Sequence, residues 1–208
     1  MNHSHSNNFI RESAKGYQAL NTEDILLTAR KVFLTSEVDA ESMDILLKNL
    51  MALNEQDPES EITLYINSPG GNVMDGLGVF DYLKDMEAPL RTVCCGTCAS
   101  MGAILFLAGK KREIYPHGRI MIHDPSYGTA DIGGKKPHEI QKQVDSLMET
   151  REMLATIIAD VTGKTLEEIY EVTKEDTFYN ATKAVEFGLA TGIIGSKADS
   201  AGKNERSN

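Results

Sequence analysis

Three residue types in this chain stand where a hydroxyl nucleophile could be activated: one serine, one histidine and two aspartates. Ser100 lies in residues 92–109, TVCCGTCASMGAILFLAG, which read as a buried strand, a tight turn of small residues and an apolar helix. A serine hydroxyl is a weak nucleophile at neutral pH. It needs an adjacent base, normally a histidine held in the right tautomer by a third group. Of the five histidines, His3 and His5 fall in the polar N-terminal stretch, and His117 and His138 fall in turn or helix-start positions. His123 differs, because it ends the apolar run RIMIH and is followed by Asp124-Pro125, which must leave the strand. Strand ends feeding loops are where α/β folds present ligand-contacting groups. On periodicity alone His123 is more often a hydrogen-bonded structural histidine. The third group is either Asp124 or the distant Asp176, in a KEDTF turn before a helix, where an aspartate also serves as a cap. Order and spacing do not choose between them.

A glycine turn, Ser68-Pro69-Gly70-Gly71, follows a strand and opens a helix. Glycines let backbone N–H groups approach a ligand, and a helix start adds positive potential. Donors aimed at a developing oxyanion stabilise a transition state by roughly 3 kcal/mol each. Taken alone the signal is weak, since such turns are common. Two rival chemistries use the cysteines. Cys95-Gly96-Thr97-Cys98 is a C-x-x-C between strand and helix, the setting of a redox dithiol. A zinc site needs two further clustered ligands, and none is suitably spaced. The third reading is that the thiols are small packing residues of a reduced compartment. Cys98-Ala99-Ser100-Met101-Gly102 is also not the G-x-S-x-G elbow, since the first glycine is missing.

The elements that must position these groups follow from periodicity. Residues 31–34 and 61–66 read as strands, and Asp39 caps a helix whose Met43, Leu46, Leu47, Leu50 and Met51 share a face. A helix over 73–87 turns Val73, Leu77, Phe80 and Leu83 inward and stops before Pro89, and 90–95 is the next strand. Residues 112–115 and 119–123 read as two more strands. After a glycine-containing loop, Pro137 opens a long helix. On it Ile140, Val144, Leu147, Arg151, Leu154, Ile158 and Val161 form a heptad-like seam interrupted only by Arg151. The seam packs either within the domain or against another subunit, and spacing weights the two alike. Residues 165–173 and 181–187 read as short helices flanking the loop at Asp176. Strand–strand–helix units of this kind predict an α/β fold.

Composition narrows the class. The chain has 208 residues, 41% of them apolar, and a formal charge of −10. That suits one domain and argues against nucleic-acid or anionic-membrane partners, because no basic stripe offsets the acid. No apolar run reaches spanning length, and the N-terminus lacks a secretory signal pattern. Three cysteines, two adjacent, are not a disulfide framework, so a cytoplasmic protein is expected. Residues 1–16 are expected to be a mobile polar segment, 17–195 one domain, and 196–208 a polar tail.

Taken together, YINSPGG at 65–71, ASMGA at 99–103, MIH at 121–123, Thr162-Gly163, the Asp176 turn and AVEFGL at 184–189 resemble the proteolytic subunit of the Clp protease family. The resemblance covers roughly residues 17–194. It implies a serine endopeptidase with Ser100 as nucleophile, His123 as general base and Asp176 as orienting acid. Gly71 and Met101 would supply the oxyanion-hole N–H groups. No metal or cofactor is implied in this subunit, ATP being used by a partner unfoldase. The implied fold is crotonase-like, with a protruding handle helix at about 138–161. The implied assembly is a homo-oligomer of two stacked seven-membered rings enclosing a chamber for unfolded polypeptides. A Clp-type AAA+ ATPase would dock on the ring face near Tyr65, and some family members lose a short leader by self-processing. The alternative is a weakly active structural subunit that completes a mixed ring with a paralogue. Several positions depart from the family pattern. Thr63 stands where an aromatic is common, and Thr97 and Cys98 replace small or amide residues. The 124–137 segment differs in length and glycine placement. Glu175 stands where many members carry an arginine that pairs across the ring interface, a bond glutamate cannot make.

Overall fold

Alternating buried and exposed positions build the first strand of the main sheet, and the same logic extends along the chain. The computed structural model describes residues 9–13, 16–126 and 134–196, with side chains from residue 21 onward. In chain order the elements begin with strands β1 (Phe9–Ser13) and β2 (Gly16–Leu20), helix α1 (Thr22–Thr28), β3 (Lys31–Leu34), α2 (Ala40–Gln56) and β4 (Ile62–Ser68). They continue with α3 (Val73–Asp85), β5 (Leu90–Ala99), α4 (Met101–Leu107), β6 (Lys111–Ile114) and β7 (Arg119–Ile122). The last are α5 (Pro137–Thr162), α6 (Leu166–Thr173), β8 (Thr177–Asn180), α7 (Ala181–Phe187) and β9 (Gly192–Ile193). Strand–strand–helix order occurs at β1–β2–α1 and at β6–β7–α5, whereas single strands and helices alternate from β3 to β6.

β1 and β2 form an antiparallel hairpin, with Ser13 opposite Gly16. The segment 1–16 therefore contains a paired strand, while residues 1–8, 14 and 15, and the tail from 197, lie outside the described residues. The main sheet runs β3-β4-β5-β6-β9, and these neighbours are parallel. It forks at β5. The first half of that strand pairs with β6 (Arg91↔Lys111 to Cys94↔Ile114), the second half with β7 (Thr97↔Arg119 to Ala99↔Met121). A register shift makes the fork, since Ile66 pairs with Cys94 but Ser68 pairs with Cys98. The extra residues of this bulge bend the strand and re-aim its end. The strand predicted to end at residue 95 thus continues to Ala99, and the C-x-x-C lies inside it, with Cys98 two residues before the Ser100 N-cap of α4.

The helices cover the sheet as their patterns demand. Asp39 accepts the Ser42 N–H at 2.8 Å and donates its own N–H to Ser42 Oγ at 3.0 Å, closing a capping box on α2. Met43, Leu46, Leu50 and Leu53 face the core. Met51, expected among them, is exposed, because the 3.6-residue period carries it past the edge of that arc and brings Leu53 in. α4 is buried on every side, as an all-apolar helix must be. α5 has 26 residues, so it spans about 39 Å. Only Leu154, Ala155 and Ile158 in its C-terminal half are buried, while Val144 and Met148 are exposed. The seam is thus divided, one half packed within the domain and the other, with Ile140 and Leu147 half-buried and Val144 exposed, only partly covered by the described residues.

Candidate active site

Three neighbouring strand ends bring the chemistry together. Ser100 follows β5, and its N–H donates to the Met121 carbonyl on β7 at 2.9 Å. The antiparallel β7–β8 ladder ends with Ile122 opposite Thr177, so His123 and Asp176 are the next residues out on the two strands. Ser100 Oγ lies 2.8 Å from His123 Nε2, and His123 Nδ1 lies 3.5 Å from Asp176 Oδ1. The first distance is a hydrogen bond. The second is an ion-pair separation longer than a good hydrogen bond. His123 is largely shielded, whereas the Asp176 side chain is 65% exposed. Asp124, the other candidate, turns elsewhere: its carboxylate meets Thr173 and Arg151. His117 and His138 are exposed, as their turn and helix-start positions suggested.

Ser100 has φ 52° and ψ −124°, one of two non-glycine residues with positive φ among those described. The strand-to-helix corner forces that conformation, because Met101 must start α4 at once. Opposite it runs the glycine turn. Gly70 (φ 93°) packs so closely that an added Cβ would sit 2.6 Å from Ser100 Cβ and 2.9 Å from the Met101 nitrogen. Gly71 (φ 147°) is pressed against Val38, whose carbonyl a Cβ there would strike. Val38 straps the turn in place. Its N–H donates to the Gly70 carbonyl at 2.8 Å and its carbonyl accepts from Asn72 at 2.7 Å, a bridge that does not use the Gly71 N–H. Val38 was not singled out in the sequence, and a buried valine four residues after the end of β3 carries no signal that could have found it.

Gly71, Ser100, Met101 and His123 all line one cavity of about 240 Å³. The rest of its wall is mainly apolar, from Val73, Ile104, Met121, Pro125, Leu154 and Ile158. Such a space accepts an apolar side chain beside the serine hydroxyl. The cysteines are not among its lining residues. Cys94 and Cys98 are buried and Cys95 is exposed. Burial pushes the Cys98 thiol well up, and the neighbouring Cys98 thiol draws Cys94 down. Among the described residues no group of three or more His, Cys, Asp or Glu could hold a metal ion, and no helix is long and apolar enough to cross a membrane.

The Clp protease family model matches residues 14–197. The chain belongs to the Clp protease family. Within it, the chain is 39% identical over 187 residues to the ATP-dependent Clp protease proteolytic subunit 2 of Synechococcus sp. (strain CC9605), covering 89% of this chain and 93% of that protein. It is also 39% identical over 180 residues to the chloroplastic ATP-dependent Clp protease proteolytic subunit 3 of Arabidopsis thaliana, covering 86% of this chain and 57% of that one. The mixed α/β architecture with a largely parallel sheet fits a Clp protease.

Proposed function

We propose that this chain is the proteolytic subunit of an ATP-dependent Clp protease, a serine endopeptidase that cuts unfolded polypeptides inside a closed chamber. The observation that carries the reading is the 2.8 Å Ser100 Oγ–His123 Nε2 contact at a strained corner above an apolar cavity. In the reaction, His123 Nε2 takes the Ser100 proton as Oγ bonds to the peptide carbonyl carbon. The carbonyl oxygen becomes an oxyanion, facing the N–H groups of Gly71 and Met101. Collapse breaks the C–N bond, and the leaving amine takes the proton from His123. Water, deprotonated by the same histidine, then releases the acyl group and restores Ser100. Asp176 steadies the imidazole through Nδ1. Membership of the family and the apolar cavity support peptide as the substrate class, with an apolar side chain preceding the cut.

The assembly belongs to the same proposal. In it the fold is crotonase-like, α5 is the handle, and its exposed Val144 and Met148 meet the opposite ring of a double seven-membered stack. A Clp-type AAA+ ATPase spends the ATP and docks where Phe33 stacks on Tyr65, with ring centroids 5.1 Å apart. The subunit needs no cofactor of its own and works in the cytoplasm. A fluorophosphonate probe is expected to label Ser100, and Ser100→Ala is expected to abolish cleavage of a short peptide. Undiminished cleavage by that variant would sink the assignment. An assembled but inactive oligomer that gained activity only with a second subunit would instead indicate a structural ring member.

A further inference from the structure

Arg151 breaks the apolar seam of α5, and the chemistry above makes no use of it. Its Nε lies 2.7 Å from Oδ2 of Asp124, and its Cζ sits 4.1 Å over the Tyr170 ring of α6. The Nε–H points off the line to the oxygen, so this is a charge contact rather than a linear hydrogen bond. Asp124 is held twice more, both times by Thr173. Its N–H donates to the Thr173 carbonyl at 2.6 Å, and its Oδ1 accepts from Thr173 Oγ1 at 2.6 Å. The Thr173 hydroxyl also lies 3.0 Å from the Ile169 carbonyl, but the carboxylate is closer and charged, so it has the stronger claim on the proton.

Position in the chain gives this cluster its meaning. Asp124 directly follows His123, and Thr173 is three residues before Asp176. The β7–β8 ladder stops at Ile122↔Thr177, one residue short of both His123 and Asp176. The pair is therefore bracketed, by the ladder on one side and by the Asp124–Thr173 bonds on the other. Asp176 is itself largely exposed, so its place is set by the backbone to either side. Arg151 adds a second effect. By holding the Asp124 carboxylate towards α5, it leaves the Nδ1 side of His123 to Asp176.

We infer that Asp124, Thr173 and Arg151 form a clamp of positioning residues that keeps His123 and Asp176 within reach of each other. This rests on reading Ser100, His123 and Asp176 as the reacting set. Loss of the clamp should lower the rate of the chemical step and leave peptide binding alone, since the apolar cavity wall is unchanged.

The experiment measures peptide hydrolysis and the rate of fluorophosphonate labelling for Asp124→Asn, Thr173→Val and Arg151→Met, with Thr173→Ser and Arg151→Lys as conservative partners. For the first three, kcat is expected to fall about 10–100-fold, the effect of displacing a catalytic group by an ångström or less. KM should stay within about twofold, labelling should slow in parallel, and the conservative variants should keep most of the activity. Because the residues act as one unit, the Asp124→Asn/Thr173→Val pair should lose no more than the worse single variant. Gel filtration alongside separates this from misassembly. If Thr173→Val fails to assemble, Asp124→Asn carries the test by the same readouts. Wild-type kcat in an assembled Asp124→Asn protein overturns the inference, as does a loss that follows only the assembled fraction. If wild type is labelled at Ser100 and Ser100→Ala is dead, such a result removes the clamp alone. If Ser100→Ala still cleaves, the catalytic reading itself has failed.

Discussion

Ser100 is held in a conformation that costs an L-residue on the order of 1–3 kcal/mol. Glycine relieves that cost at the smaller expense of about 0.5–1 kcal/mol of extra freedom in the unfolded chain. Ser100→Gly should therefore raise the urea midpoint while peptide cleavage disappears. Gly70→Ala should do the reverse to the fold. Its φ of 93° and the 2.6 Å approach to Ser100 Cβ predict a loss of more than about 1 kcal/mol, with cleavage falling alongside. For the thiols the expectation is silence. Cys95 sits on a strand bulge rather than at a helix start, so Cys95→Ser should leave peptide turnover within about twofold. At this scale residue type and strand ends drew attention to Ser100 and His123, but periodicity favoured a structural role for His123, and the 2.8 Å contact between them could not be read from the sequence. The preference for Asp176 over Asp124 came only with the family resemblance, because the residues alone cannot show a pairing between segments more than fifty residues apart.

That pairing belongs to β8, a four-residue strand with the pattern TFYN and one buried side chain. So short a run carries no alternation strong enough to read, and its own Asn180 also caps the next helix. α1 was missed for a related reason, since it buries nothing and shows no apolar stripe. β5 was read short because the bulge after Cys94 interrupts its alternation. α2, α3 and α5 were legible because each places three or more apolar residues on one arc. Within α5 the two halves should respond differently to truncation. Leu154→Ala, in the buried half, should cost about 2–5 kcal/mol in urea unfolding of the assembled protein. Val144→Ala, in the half exposed in the single chain, should change the unfolding free energy of the unstacked form by less than about 0.5 kcal/mol.

Across the whole molecule, the exposed half of α5 is where the proposed double ring can be tested. An apolar stripe that meets a partner does not accept an unpaired buried charge. Val144→Glu combined with Met148→Glu should leave the subunit fold intact and shift sedimentation from the stacked form to a single ring. The forked sheet has a further bearing on the same molecule. Among the described residues, β7 joins the main sheet only beside the far end of β5, and β8 pairs only with β7. Ser100 thus belongs to the main body, while His123 and Asp176 are carried by a side branch. Partial opening of that branch would separate hydroxyl from imidazole with most backbone amides still protected. In mild urea, peptide cleavage should fade before the far-ultraviolet circular dichroism changes, and amides of residues 177–180 should exchange ahead of those of 62–66. The proposed activity then fails by local unzipping, at a lower denaturant concentration than the fold.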